Sequence, residues 1–171
     1  RDIRFRRAMS LAIDRQAICD AEFYGMTEPV QCAPGPSSRF YYEHAELPDP
    51  SDPYLREAYR SYIAHAPAAA NRLLDAIGLT KRDATGFRLF PDGTRLTLFV
   101  DTYKGASKGP LFLMIRDWQK VGIHVMPRIQ ESRLYWTRKD GLQHDMTMFP
   151  GENEFEVILE PRLFVPIMGN A

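Results

Sequence analysis

The sequence predicts an α/β fold, a mixed sheet with a parallel βαβαβ core flanked by helices. Strand-like runs at 96–100, 123–129 and 144–149 alternate with helix-like segments at 107–121 and 132–140, which is the order of βαβ units. A crossover of this kind places two parallel strands in one sheet and packs its helix on a face. The 171 residues, 44% of them apolar and 12% aromatic, suffice for one core, so residues 1–171 are expected to form a single domain.

Asp2 is suited to cap a helix over 3–13 that turns Phe5, Met9, Ala12 and Ile13 to one face. Asp14 is suited to cap a second helix, 15–24, closed by Gly25 in the left-handed conformation that helix ends favour. The stretch 27–53, with Pro34, Pro36, Pro48 and Pro50, breaks regular structure and reads as a long functional loop pinned by Phe40, Tyr41 and Tyr42. Helices are expected at 53–62 and 67–77, the second with Pro67 in its first turn, Ala70, Leu73, Leu74 and Ile77 inward, and Gly78 as terminator. Residues 86–90 and 95–101 flank Pro91-Asp92-Gly93-Thr94, which predicts a hairpin. The helix at 107–121 then carries Leu111, Met114, Ile115 and Trp118 on one side, and Asp140-Gly141 stops the helix at 132–140.

Charge and motif content narrow the function. Lys and Arg total 22 against 22 Asp and Glu, without a block of one sign, so nothing points to a nucleic-acid partner. No apolar run reaches the roughly 20 residues that span a bilayer. His44, His65, His124 and His144 show neither an i, i+4 pair nor partnering cysteines, so no metal or other cofactor is expected. The nucleophile elbow, the phosphate-binding loop and the dinucleotide fingerprint are all missing. Residues 83–92 lack the closing glutamate of a calcium loop and read as a turn. Cys19 and Cys32 are open to two readings, a single disulfide or two buried thiols. Both ends of the sequence read as cut from a longer protein.

In open α/β sheets ligands bind beyond the carboxyl ends of the parallel strands. Those ends are 101–104, 130–133 and 149–153. They nominate Tyr103, Lys104, Glu131, Arg133, Glu152 and Asn153 as ligand contacts, with Trp136 as a stacking surface, a rim suited to a polar organic solute. Trp118, on an apolar helix face, is assigned to the core. No catalytic residue is assigned. The competing readings are a carboxylate-dependent glycoside hydrolase built from Glu131 with Glu152 or Glu154, and a ligand-sensing receptor domain.

Residues 3–15, Ile-Arg-Phe-Arg-Arg-Ala-Met-Ser-Leu-Ala-Ile-Asp-Arg, resemble the R-R-A-M-S-L-A-I-D-R segment of family 5 extracellular solute-binding proteins of ABC importers. The proline-rich loop at 34–38, Ala-Asn-Arg-Leu-Leu-Asp-Ala-Ile-Gly-Leu at 70–79, Asp-Ala-Thr-Gly-Phe-Arg at 83–88, Pro-Asp-Gly at 91–93, Trp-Gln-Lys-Val-Gly-Ile at 118–123 and His-Asp-Met at 144–146 follow in that family's order. The resemblance implies a lobe of the type II periplasmic-binding-protein fold, here part of lobe II with the first lobe and a C-terminal segment absent. It further implies a non-enzymatic monomer, periplasmic or lipid-anchored outside the cytoplasmic membrane. Such a protein would capture a small solute or peptide between two lobes and hand it to an ABC permease. Two departures stand out. Peptide-binding relatives carry an acidic residue shortly after the last strand, where Phe149-Pro150-Gly151-Glu152-Asn153 offers Glu152 instead, and their Tyr-Asp-Pro is His65-Ala66-Pro67 here, which removes a helix cap.

Overall fold

The computed structural model describes residues 2–29 and 61–148. By internal contacts the chain divides into two units, Arg1–Glu28 with Ala64–Phe149, and Pro29–Ile63 with Pro150–Ala171. Nearly all the described residues belong to the first unit. The expected loop at 27–53 and helix at 53–62 fall almost wholly outside the described residues, as does Cys32.

The first unit opens with α1 (Ile3–Ala12), whose cap is Asp2, accepting the Arg4 N–H at 2.8 Å. Ala8, Met9 and Ala12 are buried, as the spacing requires. Ile13 was expected to extend this helix. It is instead extended backbone with φ −79° and ψ 125°, because the chain turns there to start α2 (Arg15–Phe23). Asp14 caps α2 by accepting the Ala17 N–H at 3.0 Å. The left-handed closure begins one residue before the expected glycine, at Tyr24 (φ 55°), and continues through Gly25 (φ 69°). Cys19, on α2, is a buried free thiol.

Next comes α3 (Pro67–Ala76), packed on α1 through buried Ala70 and Leu74, with Leu73 and Ile77 at the margin of the core. Its N-terminus has no side-chain cap, the consequence of alanine at position 66. The Ala66 N–H instead reaches the Leu11 carbonyl at 2.8 Å and ties α3 to the end of α1.

The expected hairpin is reduced to its turn. Asp92 accepts both the Thr94 N–H (2.9 Å) and its hydroxyl (2.7 Å), and Phe90 N–H bonds the Thr94 carbonyl. Antiparallel bridging between the two arms is confined to Leu89–Arg95, while the bridge Arg82–Arg88 closes the turn before it, so no ladder of the expected length forms. Backbone donors of this arm are engaged elsewhere, the Arg88 N–H on the Gly122 carbonyl (2.7 Å) and the Leu89 N–H on the Lys81 carbonyl (2.9 Å), and Arg88 is turned inward, 1% exposed. Its guanidinium donates to the Val121 carbonyl (2.9 Å), Asp75 Oδ1 (2.6 Å), Asn71 Oδ1 (2.7 Å) and the Leu79 carbonyl, binding the turn to α3 and to the sheet's far crossover.

From here the βαβαβ order appears as expected. Strand β1 (Thr97–Tyr103) leads to α4 (Gly109–Lys120), β2 (His124–Gln130), α5 (Ser132–Asp140) and β3 (Met146–Thr147). The sheet order is β2-β1-β3, with both pairings parallel. Strand β3 is shorter than the expected 144–149, and Phe149 lies outside the described residues. Pro127 sits in β2, which among the described residues pairs only with β1, an edge position where proline is tolerated. Val100, Val125, Ile123, Leu111, Ile115 and Trp118 join α1 and α3 in one core. Trp118 is 3% exposed and its indole N–H donates to the Met9 carbonyl at 2.9 Å, so the core assignment made from spacing holds.

Candidate ligand rim

Two parallel strands in register end together. Tyr103, the last residue of β1, pairs with Gln130, the last of β2, so Lys104 and Glu131 leave the sheet side by side. The Lys104 N–H continues the ladder to the Gln130 carbonyl at 2.9 Å. Beyond it the Lys104 ammonium and the Glu131 carboxylate form an ion pair between two side chains that are 65% and 70% exposed. Solvent screens a pair so exposed, so it contributes little to stability and remains free to exchange partners.

Helix α5 starts at once after Glu131 and is not capped by a side chain. Its Tyr135 is fully buried, 5.5 Å from the Tyr103 ring, and Trp136 meets Tyr135 edge to face at 5.2 Å. The outer part of Trp136 is exposed and the Lys139 ammonium stands 5.1 Å from its ring centre. Burial pushes the Tyr135 phenol above its ordinary value. Arg133 is exposed on the first turn of α5. The structure thus brings together Tyr103, Lys104, Glu131, Arg133 and Trp136 on the strand ends and the adjoining helix, while Glu152 and Asn153 lie outside the described residues.

Beneath this rim is a charged cluster that the sequence reading passed over. Asp101, 1% exposed, accepts Arg128 Nε on Oδ1 at 2.6 Å and Arg138 Nε on Oδ2 at 3.0 Å. Burial alone raises this carboxyl, and the hydrogen bonds from Arg138 and Arg128 outweigh it, so Asp101 titrates below its ordinary range. Arg128 also covers the Phe99 ring at 4.7 Å. The one available signal was periodicity: Phe99, Asp101 and Tyr103 share a strand face, so an acid placed there needs a cation from the neighbouring strand.

On the opposite flank, an open apolar groove of about 390 Å³ is lined by Phe5, Ile77, Leu79, Phe90, Leu96 and Leu98, with Asp2 and Arg6 among its polar walls. Among the described residues no group of three or more His, Cys, Asp or Glu is placed to hold a metal ion, and no helix is long and apolar enough to cross a membrane.

Comparison with known proteins places this geometry. The family described as "Bacterial extracellular solute-binding proteins, family 5 Middle" matches residues 1–153. Among solved structures, an oligopeptide-binding protein OppA superposes with a TM-score of 0.80 at 28% identity, over 99% of this chain and 25% of that one. NikA from Brucella suis, solved in complex with Fe(III)-EDTA, gives 0.66 at 24% identity, over 85% of this chain and 26% of NikA. MelB from Agrobacterium fabrum, solved with stachyose, gives 0.66 at 23% identity, over 85% of this chain and 21% of MelB. The chain therefore spans about a quarter of the length of these structures. No curated protein matches it.

Proposed function

The chain belongs to the bacterial extracellular solute-binding proteins of family 5, and on that footing we propose that it is part of lobe II of the substrate-binding component of an ABC importer. In this reading it supplies one wall of a cleft between two lobes, captures a small polar solute, and delivers it to a membrane permease. The observation that carries the proposal is the rim itself: an exposed, exchangeable Lys104–Glu131 ion pair beside an aromatic group, at the end of a parallel sheet where ligands bind. Tyr103, Lys104, Glu131, Arg133 and Trp136 are the proposed contacts, and the sequence adds Glu152 and Asn153.

A peptide-like solute is favoured, because opposite charges next to aromatic faces suit the termini and side chains of a short peptide. The name of the oligopeptide-binding relative supports the same choice. The protein acts as a monomer outside the cytoplasmic membrane, periplasmic or lipid-anchored, and turns nothing over.

Ligand-induced thermal stabilisation tests the proposal on the full-length two-lobed protein, across short peptides, sugars and metal chelates. A ligand at 100 times its Kd adds about 2.7 kcal/mol, a shift easily read. No stabilisation by any class, or product formation from a glycoside panel, would overturn it.

A further inference from the structure

The residues of the rim stand on separate elements, and one buried side chain reaches the elements that carry them. Asp101 lies on the central strand, two residues before Tyr103 and on the same sheet face. Its backbone is flanked by Arg128 of β2 and Thr147 of β3, and its carbonyl accepts the Met148 N–H at 2.9 Å. Its carboxylate is divided, one oxygen on Arg128 of β2 and the other on Arg138 of α5. Arg138 donates onward to the Gln143 carbonyl at 2.5 Å, which fixes the turn between α5 and β3.

This division explains why an acid occupies the position. An asparagine side chain has one acceptor atom and would satisfy only one of the two arginines. Stability by itself does not call for the cluster, since Arg128 and Arg138 keep 34% and 24% of their side chains exposed and solvent screens the attraction. What an apolar replacement lacks is direction: the backbone ladder already places β2 on β1, and the two charge-assisted hydrogen bonds, set at fixed angles, reinforce it and orient α5 against β1.

We propose that Asp101 is the positioning residue of the rim, holding Lys104, Glu131 and Trp136 in their mutual arrangement through Arg128 and Arg138 without touching the ligand. Its consequence for binding rests on the function proposed above, whereas its structural content does not.

The test is NMR of the whole chain, comparing the parent with Asp101→Asn and with the apolar triple variant D101L/R128M/R138M, which preserves a folded sample should the single change unfold the chain. In both, the backbone amides of Lys104 and Glu131 and the Trp136 indole N–H are expected to shift, while the Trp118 indole N–H, bonded to Met9 in the core, stays in place. A purely structural role would lower the melting temperature and leave the rim signals where they were, and that result in a folded variant overturns the proposal. In the full-length protein, affinity for the probe tri-alanine is expected to fall roughly tenfold in either variant, within the usual range of energetic coupling between sites. Unchanged tri-alanine affinity with displaced rim signals also counts against the proposal. Displaced signals with no tri-alanine binding even by the parent leave the positioning role standing and count against the peptide reading.

Discussion

Buried or engaged polar side chains carry much of the specificity of this unit at the scale of single residues. Arg88 is the clearest case, a guanidinium enclosed by two carbonyls, Asp75 and Asn71. Arg88→Met takes the donor from the Leu79 carbonyl, at about 1–3 kcal/mol for an orphaned buried group, whereas Asp75 is half exposed and Arg82 still reaches Asn71 and the Val121 carbonyl. Urea unfolding is expected to show a loss of at least the lower figure with an unchanged m-value. Asp83 provides a pH probe. The Thr85 hydroxyl, followed by the Thr85 and Phe87 N–H groups and Arg95, holds its carboxyl down to about 2 from an ordinary 3.8. A depressed carboxyl contributes stability that is complete above the unfolded value and lost as pH falls through the folded one. Melting temperature is therefore expected to decline between about pH 4 and pH 2, and Asp83→Asn should flatten that part of the profile. An unchanged slope in the variant would assign the decline to other acids, such as Asp101.

Among the elements, α3 lacks an ordinary device. Its N-cap position is Ala66, with no side-chain bond to the first turn, although Asp2 and Asp14 cap α1 and α2. Ala66→Asp restores an acceptor at the free N–H groups and is expected to stabilise the chain by about 1 kcal/mol, read as a raised denaturation midpoint. No gain would mean that the Ala66 N–H bond to Leu11 holds the chain in a conformation the new carboxylate cannot use. The described helices and the long strands were legible because their signals are local: capping acids, a proline in the first turn, apolar residues at helical spacing, and runs bounded by glycine. The hairpin misled for a physical reason. Asp92-Gly93 does make a turn, but the flanking backbone bonds the Gly122 and Lys81 carbonyls instead of extending a ladder, a tertiary demand that no local pattern announces.

Across the whole unit, α4 and α5 pack against a three-stranded sheet, and the paired ends of β1 and β2 create the rim. If the rim is one wall of a two-lobed cleft, the isolated chain should bind solute far more weakly than the full-length protein. Titration calorimetry of both with the same peptide checks this, and equal affinity would mean that the site is complete within this chain. Of the proposed contacts, Tyr103, Lys104, Glu131 and Arg133 were legible because strand ends in a βαβ pattern are predictable from sequence. Tyr135 and Arg138 of α5 and Arg128 of β2, which lie beneath those contacts, were not, since which of them meets which residue of β1 depends on strand register and on the angle at which the helix lies on the sheet.

The sequence by itself determined the α/β class, the order of the elements, the core role of Trp118 and the family to which the chain belongs. These depend on periodicity, capping chemistry and motifs in register, all contained within short stretches of chain. Only the tertiary structure decided that Lys104 pairs with Glu131, that Asp101 is shared between two arginines, and that Arg88 is enclosed. The partners in these contacts stand between 9 and 37 positions apart in the chain. Strand register and helix packing bring them together, and those follow from burial of the whole core rather than from any segment alone.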